Sequence, residues 1–572
     1  MTRYPVYLEI DPSGLTMAHV AGLPGCIVRA SDREQALHRL PASILSHHAW
    51  LRHHGEDAPT GGETPEIEVA GESWGFGPFM SGDMAALFPP DQDPISLAEM
   101  EPFFRLMAHS RADLLDLVAN LPDDVLDWHP DPDTRTIRQV LRHVGNAEEW
   151  YVSRIVAAEA LPPEWEQDQD LPIFEFLKME RRATLDLLRE LGEEERSRIF
   201  HPARWTRHPE EPWTARKVLR RFLEHEREHT EEVREHLGLH RRHLLAHLAA
   251  ARSGLLERLA GLEGRLLSQE PACGEWTNQD VLVHIAAWDR WARRQVGGLV
   301  AGEPADLSAM HDIDGYNATN VAAWRGRPLE EVVEELQGAH SAWVAWLEAL
   351  DEAACFQPRL VGKRNWSPPF WIEVLRHHDA EHAEILDSWR ATEGVQGKCG
   401  PQALLMAALE ASRQELLAAA ALVPEEGRCS RPVCGAWTLK DVLGHIADWE
   451  HYCVAGLRDM AAGRPPQAEY VADEEAWNRA HARNRRDQPW EEVWADFVET
   501  HQALLGTLKG MGTGDLARTF PGVWEKETTP YAWATVGLVH DREHAEDIRD
   551  ALTAQAGLAL EPPSKSWTSR GQ

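Results

Sequence analysis

The chain has no long apolar run, no paired cysteines and no surplus of basic residues. Its 572 residues contain no stretch of about 20 consecutive apolar residues, the length that crosses a bilayer. The opening Met-Thr-Arg-Tyr-Pro-Val-Tyr lacks the basic start and the apolar run of a secretory signal. Seven scattered cysteines are typical of a reducing compartment. A formal net charge of −35 disfavours duplex nucleic acid, whose phosphates need a basic surface. We therefore expect a soluble cytoplasmic protein that binds neither nucleic acid nor membranes.

Histidine, by contrast, is abundant and recurs at helical spacing. Residues four apart lie on one face of a helix, close enough to bind one metal ion. With 29 histidines, chance alone gives roughly 1.5 such pairs, and His236–His240 and His243–His247 have the spacing without a recurring context. Three further pairs share the pattern His-x-x-x-His followed by x-Glu: His225–His229, His378–His382 and His540–His544. This shared context distinguishes them from chance pairs.

Each of these three pairs follows a single histidine that has its own recurring context. The segments Thr136–His143, Thr277–His284 and Thr438–His445 align without gaps. In each segment a threonine is followed three residues later by Gln or Asp, which predicts a capping box at the start of a helix. The histidine comes seven residues, or two turns, after that cap. A Val-Leu pair before it is expected to pack inward, which places the histidine at the edge of a core.

A third imidazole from a neighbouring helix would complete a three-nitrogen metal site with open positions for water or substrate. We predict that the chain builds this site three times. The alternative is that duplication has copied satisfied core histidines. The predicted metal ligands are His143, His225 and His229; His284, His378 and His382; and His445, His540 and His544.

A glutamate lies inside each histidine pair, three residues after its first histidine. Glu228, Glu381 and Glu543 lie about 60° around the helix from that histidine, so we predict that they orient an imidazole or move a proton as catalytic residues. A solvated or salt-bridged carboxylate is the alternative. The x-Glu positions turn roughly 200° from the second histidine, too far to bind the same ion. They are Glu231, Glu384 and Glu546.

From about residue 97 onward the chain reads as helix, in three blocks that we number repeats 1, 2 and 3. Gly238 is expected to separate repeat 1 from repeat 2, and the segment Gly394–Pro401 to separate repeat 2 from repeat 3. Four long helices per block fit a four-helix bundle. The expected fold is therefore mainly α, with three tandem four-helix bundles after a small α/β domain. The expected divisions are 1–95 (α/β domain and linker), 97–238, 240–392 and 401–556 (bundles) and 558–572 (disordered tail).

Residues 1–95 differ from the repeats because they alternate like strands. Tyr4–Ile10 and Leu15–Val20 read as strands, and Ser31-Asp-Arg-Glu34 reads as the start of a helix. Together with the turn Leu23-Pro-Gly-Cys26, this segment resembles the HicB-like antitoxin fold over about 45 residues. The resemblance implies a small α/β domain that binds a protein partner.

The repeats resemble the DinB/YfiT-like superfamily. The resemblance rests on Cys434-Gly-Ala-Trp-Thr-Leu-Lys-Asp-Val-Leu-Gly-His445 together with His540-x-x-x-His544, and it extends over nearly all of 97–556 as three tandem units. Repeat 1 lacks the Cys-Gly-x-Trp lead-in. The resemblance implies four-helix bundles that bind zinc, nickel or iron through three histidines, at the nine positions given above. Members include thiol S-transferases that use low-molecular-weight thiols, a mycothiol-dependent isomerase and the iron-binding half of ergothioneine-type sulfoxide synthases.

The expected activity follows from a metal with an open position, which lowers the pKa of a bound thiol or water. We expect a metal-dependent thiol S-transferase or hydrolase that acts on a small electrophile, with a low-molecular-weight thiol as cosubstrate. The alternative is a non-catalytic metal-binding stress-response protein whose N-terminal domain binds a partner. His-x-x-Glu-His also matches inverzincin metalloproteases, but these need a larger mixed fold and a distant acidic ligand. A sulfoxide synthase is disfavoured because no second catalytic domain follows the bundles.

Overall fold

A computed structural model describes residues 2–60, 64–75, 86–130, 134–162, 165, 170–202, 204–206, 208–394 and 399–556. The expected tail at 558–572 and residues 395–398 of the expected linker lie outside these ranges. The chain divides into two compact units, residues 1–128 with 135–236 and residues 129–134 with 237–572. Across the described residues, no helix combines the length and the apolar character that crossing a bilayer requires.

The amino-terminal part of the first unit is a four-stranded sheet with one helix, as the α/β expectation requires. Its elements are β1 (Arg3–Ile10), β2 (Thr16–Val20), β3 (Ile27–Ala30), α1 (Arg33–His53) and β4 (Glu66–Trp74). The strand order is β3-β2-β1-β4, with β2 antiparallel to β1 and β4 parallel to it. Leu8 of β1 and Leu40 of α1 are fully buried in the core between sheet and helix. Asp32 rather than Ser31 caps α1, by accepting a hydrogen bond from the backbone of Gln35.

The described part of repeat 1 consists mainly of helices, four of which are long. The helices are α2 (Leu97–Val118), α3 (Asp123–Leu126), α4 (Ile137–Val152), α5 (Ile173–Arg189), α6 (Glu193–Ser197) and α7 (Ala215–Ala260), with short 3-10 turns at Pro89–Gln92 and Ala158–Ala160. The helix α7 continues through Gly238, the residue expected to separate repeats 1 and 2, and the boundary between the two compact units falls next to it, between His236 and Leu237. A glycine inside a helix costs only about 1 kcal/mol relative to alanine, which neighbouring helical residues easily offset.

The sheet packs against α7 through buried charges. His19 of β2 contacts Glu224 of α7, with 2.8 Å between Nδ1 and Oε1, and its Nε2 lies 3.4 Å from a carboxylate oxygen of Glu9. The guanidinium of Arg227 donates a hydrogen bond of 3.0 Å to the carbonyl of Gly25. A buried charge is tolerated only when it is paired, so these contacts fix the sheet on α7.

Repeat 2 continues from α7 through a series of helices and two small hairpins. They are α8 (Gly264–Ser268), β5 (Pro271–Cys273), β6 (Trp276–Thr277), α9 (Asn278–Val300), α10 (Ser308–His311), α11 (Ile313–Trp324), α12 (Leu329–Glu348), α13 (Glu352–Phe356), β7 (Leu360–Val361), β8 (Arg364–Asn365) and α14 (Pro368–Glu393). The long helices are α9, α12 and α14, together with the last part of α7. These four helices form the expected bundle.

Repeat 3 has nearly the same order of elements as repeat 2, but it has no counterpart of α10 among its described residues. Its elements are α15 (Gln402–Ala420), a 3-10 turn (Glu425–Gly427), β9 (Pro432–Cys434), β10 (Trp437–Thr438), α16 (Leu439–Ala461), α17 (Glu474–Arg485), α18 (Trp490–Lys509), α19 (Thr513–Leu516), β11 (Phe520–Pro521), β12 (Glu527–Thr528) and α20 (Pro530–Ala556). Its four long helices are α15, α16, α18 and α20. Apolar residues of repeats 2 and 3, among them Leu282, Leu404 and Leu504, belong to one buried cluster.

The expectation of helix throughout the repeats is wrong at the four hairpins, each of which pairs only two or three residues per strand. The hairpins before α9 and α16 contain the Cys-Gly-x-Trp segments. Gly274 and Gly435 occupy the turns with φ of +60° and +57°, a backbone conformation that glycine adopts without strain. These turns carry the chain into the capped helix that follows.

Candidate metal centres

The three predicted caps are confirmed, and they set where the single histidines lie. Thr136, Thr277 and Thr438 each accept a hydrogen bond from the third residue of α4, α9 and α16, and that residue's side chain bonds back to the cap. The Val-Leu pair before each histidine is buried, as expected. The side chain of each single histidine therefore projects from its helix two turns after the cap, beside the core.

In every repeat the single histidine meets the histidine pair of the last long helix. In repeat 1 the Nε2 atom of His225 lies 3.1 Å from the Nε2 atoms of both His143 and His229. The same convergence recurs in repeats 2 and 3, where the central histidines are His378 and His540. The central Nε2 atom lies 2.8 Å from that of the single histidine and 3.2 Å from that of the pair's second histidine.

These three triads fit the geometry of a metal ion. Zinc–nitrogen bonds of about 2.0–2.1 Å place the ligands of a tetrahedral ion about 3.3 Å apart. In each triad the three ligand atoms lie within 4.8 Å of one another, and the closest pairs are 2.8 to 3.2 Å apart. Each triad could therefore hold one ion. Imidazole nitrogen suits zinc, nickel and iron alike, so the donor set does not choose among them.

Burial favours the neutral form of the triad imidazoles in repeats 2 and 3. It lowers the pKa of His284 and His382 to about 4 and, together with the neighbouring His544, that of His445 to about 3. Burial and the adjacent imidazoles hold the pKa of His540 well below its ordinary value. A neutral imidazole offers a lone pair, the form that binds a metal ion.

In repeats 1 and 3 a carboxylate contacts the Nδ1 atom of one triad histidine, on the side of the ring away from the triad. Glu232 contacts the Nδ1 atom of His229, and Asp547 lies 3.1 Å from the Nδ1 atom of His544. Both acids come three residues after the second histidine, one turn along the same helix. An N–H that donates to a carboxylate leaves Nε2 free to bind metal and raises its basicity.

Repeat 2 orients a different histidine with a neutral amide. Ile385 occupies the position of the acids in repeats 1 and 3. The Oδ1 atom of Asn317 on α11 instead lies 3.1 Å from the Nδ1 atom of His284, and it also accepts a hydrogen bond of 2.9 Å from the indole of Trp288. The repeats therefore share the triad but differ in the groups that hold it.

The structure places the three predicted catalytic glutamates outside this set of orienting groups. Glu228 lies 2.8 Å from the guanidinium of Arg29 on β3, an ion pair between the sheet and α7. Glu381 and Glu543 are exposed on α14 and α20. Sequence reasoning named the glutamate inside each pair. It missed the acid that lies three residues after the pair's second histidine in repeats 1 and 3, although helical spacing marks this position as well.

Tryptophans from the hairpins lie against two of the triads. The ring centroid of Trp276 lies 5.0 Å from that of His284, and the centroid of Trp437 lies 4.8 Å from that of His445. Both tryptophans are half-buried. They place an apolar surface beside the single histidine of the triad in repeats 2 and 3, and small-molecule sites often have such apolar walls.

A buried arginine joins the helices that carry each triad, a feature that the sequence did not suggest. In repeat 3, Arg413 of α15 lies 2.7 Å from Glu450 on α16 and 2.8 Å from Asp541 on α20. The two acids come five residues after the single histidine and directly after the first histidine of the pair. The corresponding clamps are Arg252 with Asp289 and Asp379 in repeat 2, and Arg111 with Glu148 and Glu226 in repeat 1.

Comparison with known proteins identifies the repeats. A family model of the DinB superfamily matches residues 106–233, 247–386 and 408–548, one match for each repeat. Comparisons with curated proteins and with solved structures found no match. The three matched segments span most of the chain and include all nine triad histidines. The chain therefore belongs to the DinB superfamily, of which it contains three consecutive copies.

Proposed function

We propose that each repeat binds one divalent metal ion through its histidine triad, and that the protein is a metal-dependent thiol S-transferase or hydrolase acting on a small electrophile. A low-molecular-weight thiol is the proposed cosubstrate of the transfer. The observation that carries the proposal is the convergence of three imidazole nitrogens in every repeat. Zinc, nickel and iron are all compatible with this donor set.

The chemistry of the bound ion is Lewis acidity, which lowers the pKa of a coordinated thiol or water. The protein's contribution is to hold the imidazoles in place. Glu232, Asn317 and Asp547 fix the ring of one histidine per repeat. The buried arginine clamps fix the helices from which the histidines extend. Such support keeps a site in its productive geometry.

The tryptophans beside two of the triads suit a small, apolar electrophile, and glutamates on the ligand helices suit proton transfer. Trp276 and Trp437 exclude water from one side of the site, which strengthens the electrostatic interactions inside it. We propose Glu381 and Glu543, which are exposed on the ligand helices, as carriers of the proton that a thiol or water releases. Glu228 has this role in repeat 1 only if it leaves Arg29.

For the N-terminal domain we propose a supporting role in repeat 1. The HicB-like resemblance suggests a partner-binding domain, but β2 is fully buried and the sheet contacts α7 through His19 and Arg29. Arg29 pairs with Glu228, which lies between two triad histidines of α7. The domain therefore stabilises the helix that carries these ligands.

Metal content per chain tests the metal sites directly. Purified protein reconstituted with zinc, nickel or iron should contain at least three ions, and the variants His143→Ala, His284→Ala and His445→Ala should each lose about one. His377→Ala is the matched control, because this exposed neighbour of His378 bonds to the backbone of Glu373 rather than to the triad. Unchanged, low metal content in all variants would reject the sites.

Thiol-dependent turnover then separates catalysis from simple binding. The metal-loaded protein should consume a low-molecular-weight thiol in the presence of a small electrophile, and chelation should abolish this consumption. Three bound ions without any thiol-dependent or hydrolytic turnover would support the alternative, a metal-binding protein that is not an enzyme.

A further inference from the structure

A second group of metal-binding side chains lies beside the triad of repeat 3. The Sγ atom of Cys434, at the end of β9, lies 3.2 Å from the Oδ2 atom of Asp547 on α20. The Nδ1 atom of His544 lies 3.1 Å from the same oxygen. Sulfur, nitrogen and oxygen thus converge, with all three atoms within 4.8 Å of one another.

His544 presents opposite edges to the triad and to this group. Its Nε2 atom lies 3.2 Å from that of His540, inside the triad, whereas its Nδ1 atom faces Asp547 and Cys434. The two donor sets share one ring but no donor atom. An ion bound at one edge therefore does not occupy the position at the other.

We propose that Cys434, His544 and Asp547 form a further metal position, which takes a borderline or soft divalent ion such as Zn²⁺, Co²⁺ or Cd²⁺. Zinc bonds of about 2.3 Å to sulfur and about 2.0 Å to nitrogen or oxygen place ligand atoms about 3.3–3.6 Å apart in a tetrahedron. The measured separations from Oδ2 of Asp547 are 3.1 and 3.2 Å. Small side-chain adjustments therefore suffice to bind an ion.

Charge balance favours a cation at this position. A thiolate and a carboxylate together neutralise a divalent ion, and the third ligand is a neutral imidazole nitrogen. Binding releases the thiol proton of Cys434 to solvent, and the ring proton of His544 moves from Nδ1 to Nε2 while the triad is empty. With both positions filled, the ring would lose this proton as well and bridge the two ions as an imidazolate.

Repeat 2 provides a natural control. Cys273 corresponds to Cys434 and lies at the end of the equivalent strand, β5. Ile385 stands where repeat 3 has Asp547, so this repeat has the thiol without the carboxylate. Placing Asp at position 385 and Ile at position 547 should therefore move the proposed metal position from repeat 3 to repeat 2.

Cobalt titration of the metal-free full-length chain tests the proposal, because a Co²⁺–thiolate bond produces an intense near-ultraviolet charge-transfer band that imidazole ligands do not. The band should appear in the wild type and disappear in Cys434→Ser and in Asp547→Ile. It should persist in Cys273→Ser, and in His445→Ala, which disrupts the triad but keeps His544. Ile385→Asp should add a band of similar intensity that depends on Cys273.

Three outcomes would overturn the proposal: no thiolate band in the wild type at excess Co²⁺, a band that survives Cys434→Ser, or a band lost in His445→Ala. The last outcome would assign the thiolate to the triad's own ion. These readouts do not require the triads to be filled or active. Failure of the proposed function would leave three triads without metal or turnover, whereas failure here would leave only the thiolate band absent.

Discussion

The guanidinium of Arg413 bonds to Asp541, which directly follows the triad residue His540, with 2.8 Å between Nε and Oδ2. Arg413 is 5% exposed and Asp541 is 1% exposed. Glu450 on α16 contacts the same guanidinium at 2.7 Å. One buried cation thus fixes both helices that carry the triad of repeat 3.

Replacing this arginine should loosen repeat 3. Arg413→Met leaves Glu450 and Asp541 buried without their common partner, which should cost about 3–5 kcal/mol. Hydrogen exchange measured by mass spectrometry should become faster in peptides from α16 and α20. Arg258→Met is the control, because its pair with Asp387 is largely exposed and should contribute at most about 1 kcal/mol. Equal effects of the two substitutions would contradict the role of the clamp.

The carboxylate that orients a triad histidine should control metal affinity. Glu232→Gln should weaken binding at repeat 1 by about 10- to 100-fold, because the imidazole of His229 loses its charged acceptor. Competition with a chelator measures this change in a chain whose other two triads carry His→Ala substitutions. Glu231→Gln should leave the affinity unchanged, since Glu231 is exposed and pairs with Arg234. Similar losses in both variants would indicate a general charge effect instead.

Metal binding at repeats 2 and 3 should resist mild acid. A proton competes with the metal only below the pKa of the folded imidazole, which burial lowers from about 6.5 to about 4 for His284 and about 3 for His445. The affinity should therefore change little between about pH 7.5 and about pH 5.5, where an exposed histidine site would weaken steeply. Chelator competition at several pH values measures it. A steep fall beginning near pH 6.5 would contradict the burial argument.

His19 should stabilise the first unit only while it is protonated. Burial opposes its charge, but Glu224 and Glu9 outweigh that penalty and raise the pKa of His19. Its contribution should be complete below the unfolded pKa of about 6.5 and be lost as the pH rises through the folded value. Urea unfolding of wild type and His19→Gln should therefore differ more at about pH 6 than at about pH 9. A difference that grows with pH would reverse the assignment.

Two glycines should respond oppositely to alanine. A Cβ atom at Gly456 would lie 2.2 Å from the ring of Trp533, so Gly456→Ala should destabilise repeat 3 by about 1–3 kcal/mol. Gly506 lies on an exposed helix face with nothing within 4 Å, so Gly506→Ala should stabilise α18 by up to about 1 kcal/mol. Hydrogen exchange of peptides from both helices checks the signs. Stabilisation by both substitutions would contradict the close packing at Gly456.

Sequence periodicity predicted the repeated helices, the capping threonines and the nine histidines that the structure brings together. These features are local, since a cap and a histidine seven residues later belong to one helix. The hairpins were missed because two or three paired residues leave too short a pattern to detect. Gly238, the residue expected between repeats 1 and 2, lies inside α7 because its cost inside a helix is small compared with what packing contributes.

The groups around the triads depend on contacts between helices, which periodicity does not reveal. Arg413 is buried, whereas a sequence pattern normally predicts that an arginine in a helix is solvated. Asn317 on α11 contacts both His284 and Trp288 of α9, although it follows Trp288 by 29 residues in the chain. Asp547 could have been found, because its spacing from His544 is helical.

The groups that contact the Nδ1 atom of a triad histidine differ in charge among the three repeats: Glu232 and Asp547 are acids, whereas Asn317 is a neutral amide. A divalent ion held in repeat 2 would have no carboxylate beside its ligands in the described part of the chain, because the orienting group there is the amide of Asn317. In repeats 1 and 3, Glu232 and Asp547 each bring a negative charge next to a ligand ring. An ion bound in repeat 2 would therefore attract an anionic ligand more strongly than an ion bound in either of the other repeats.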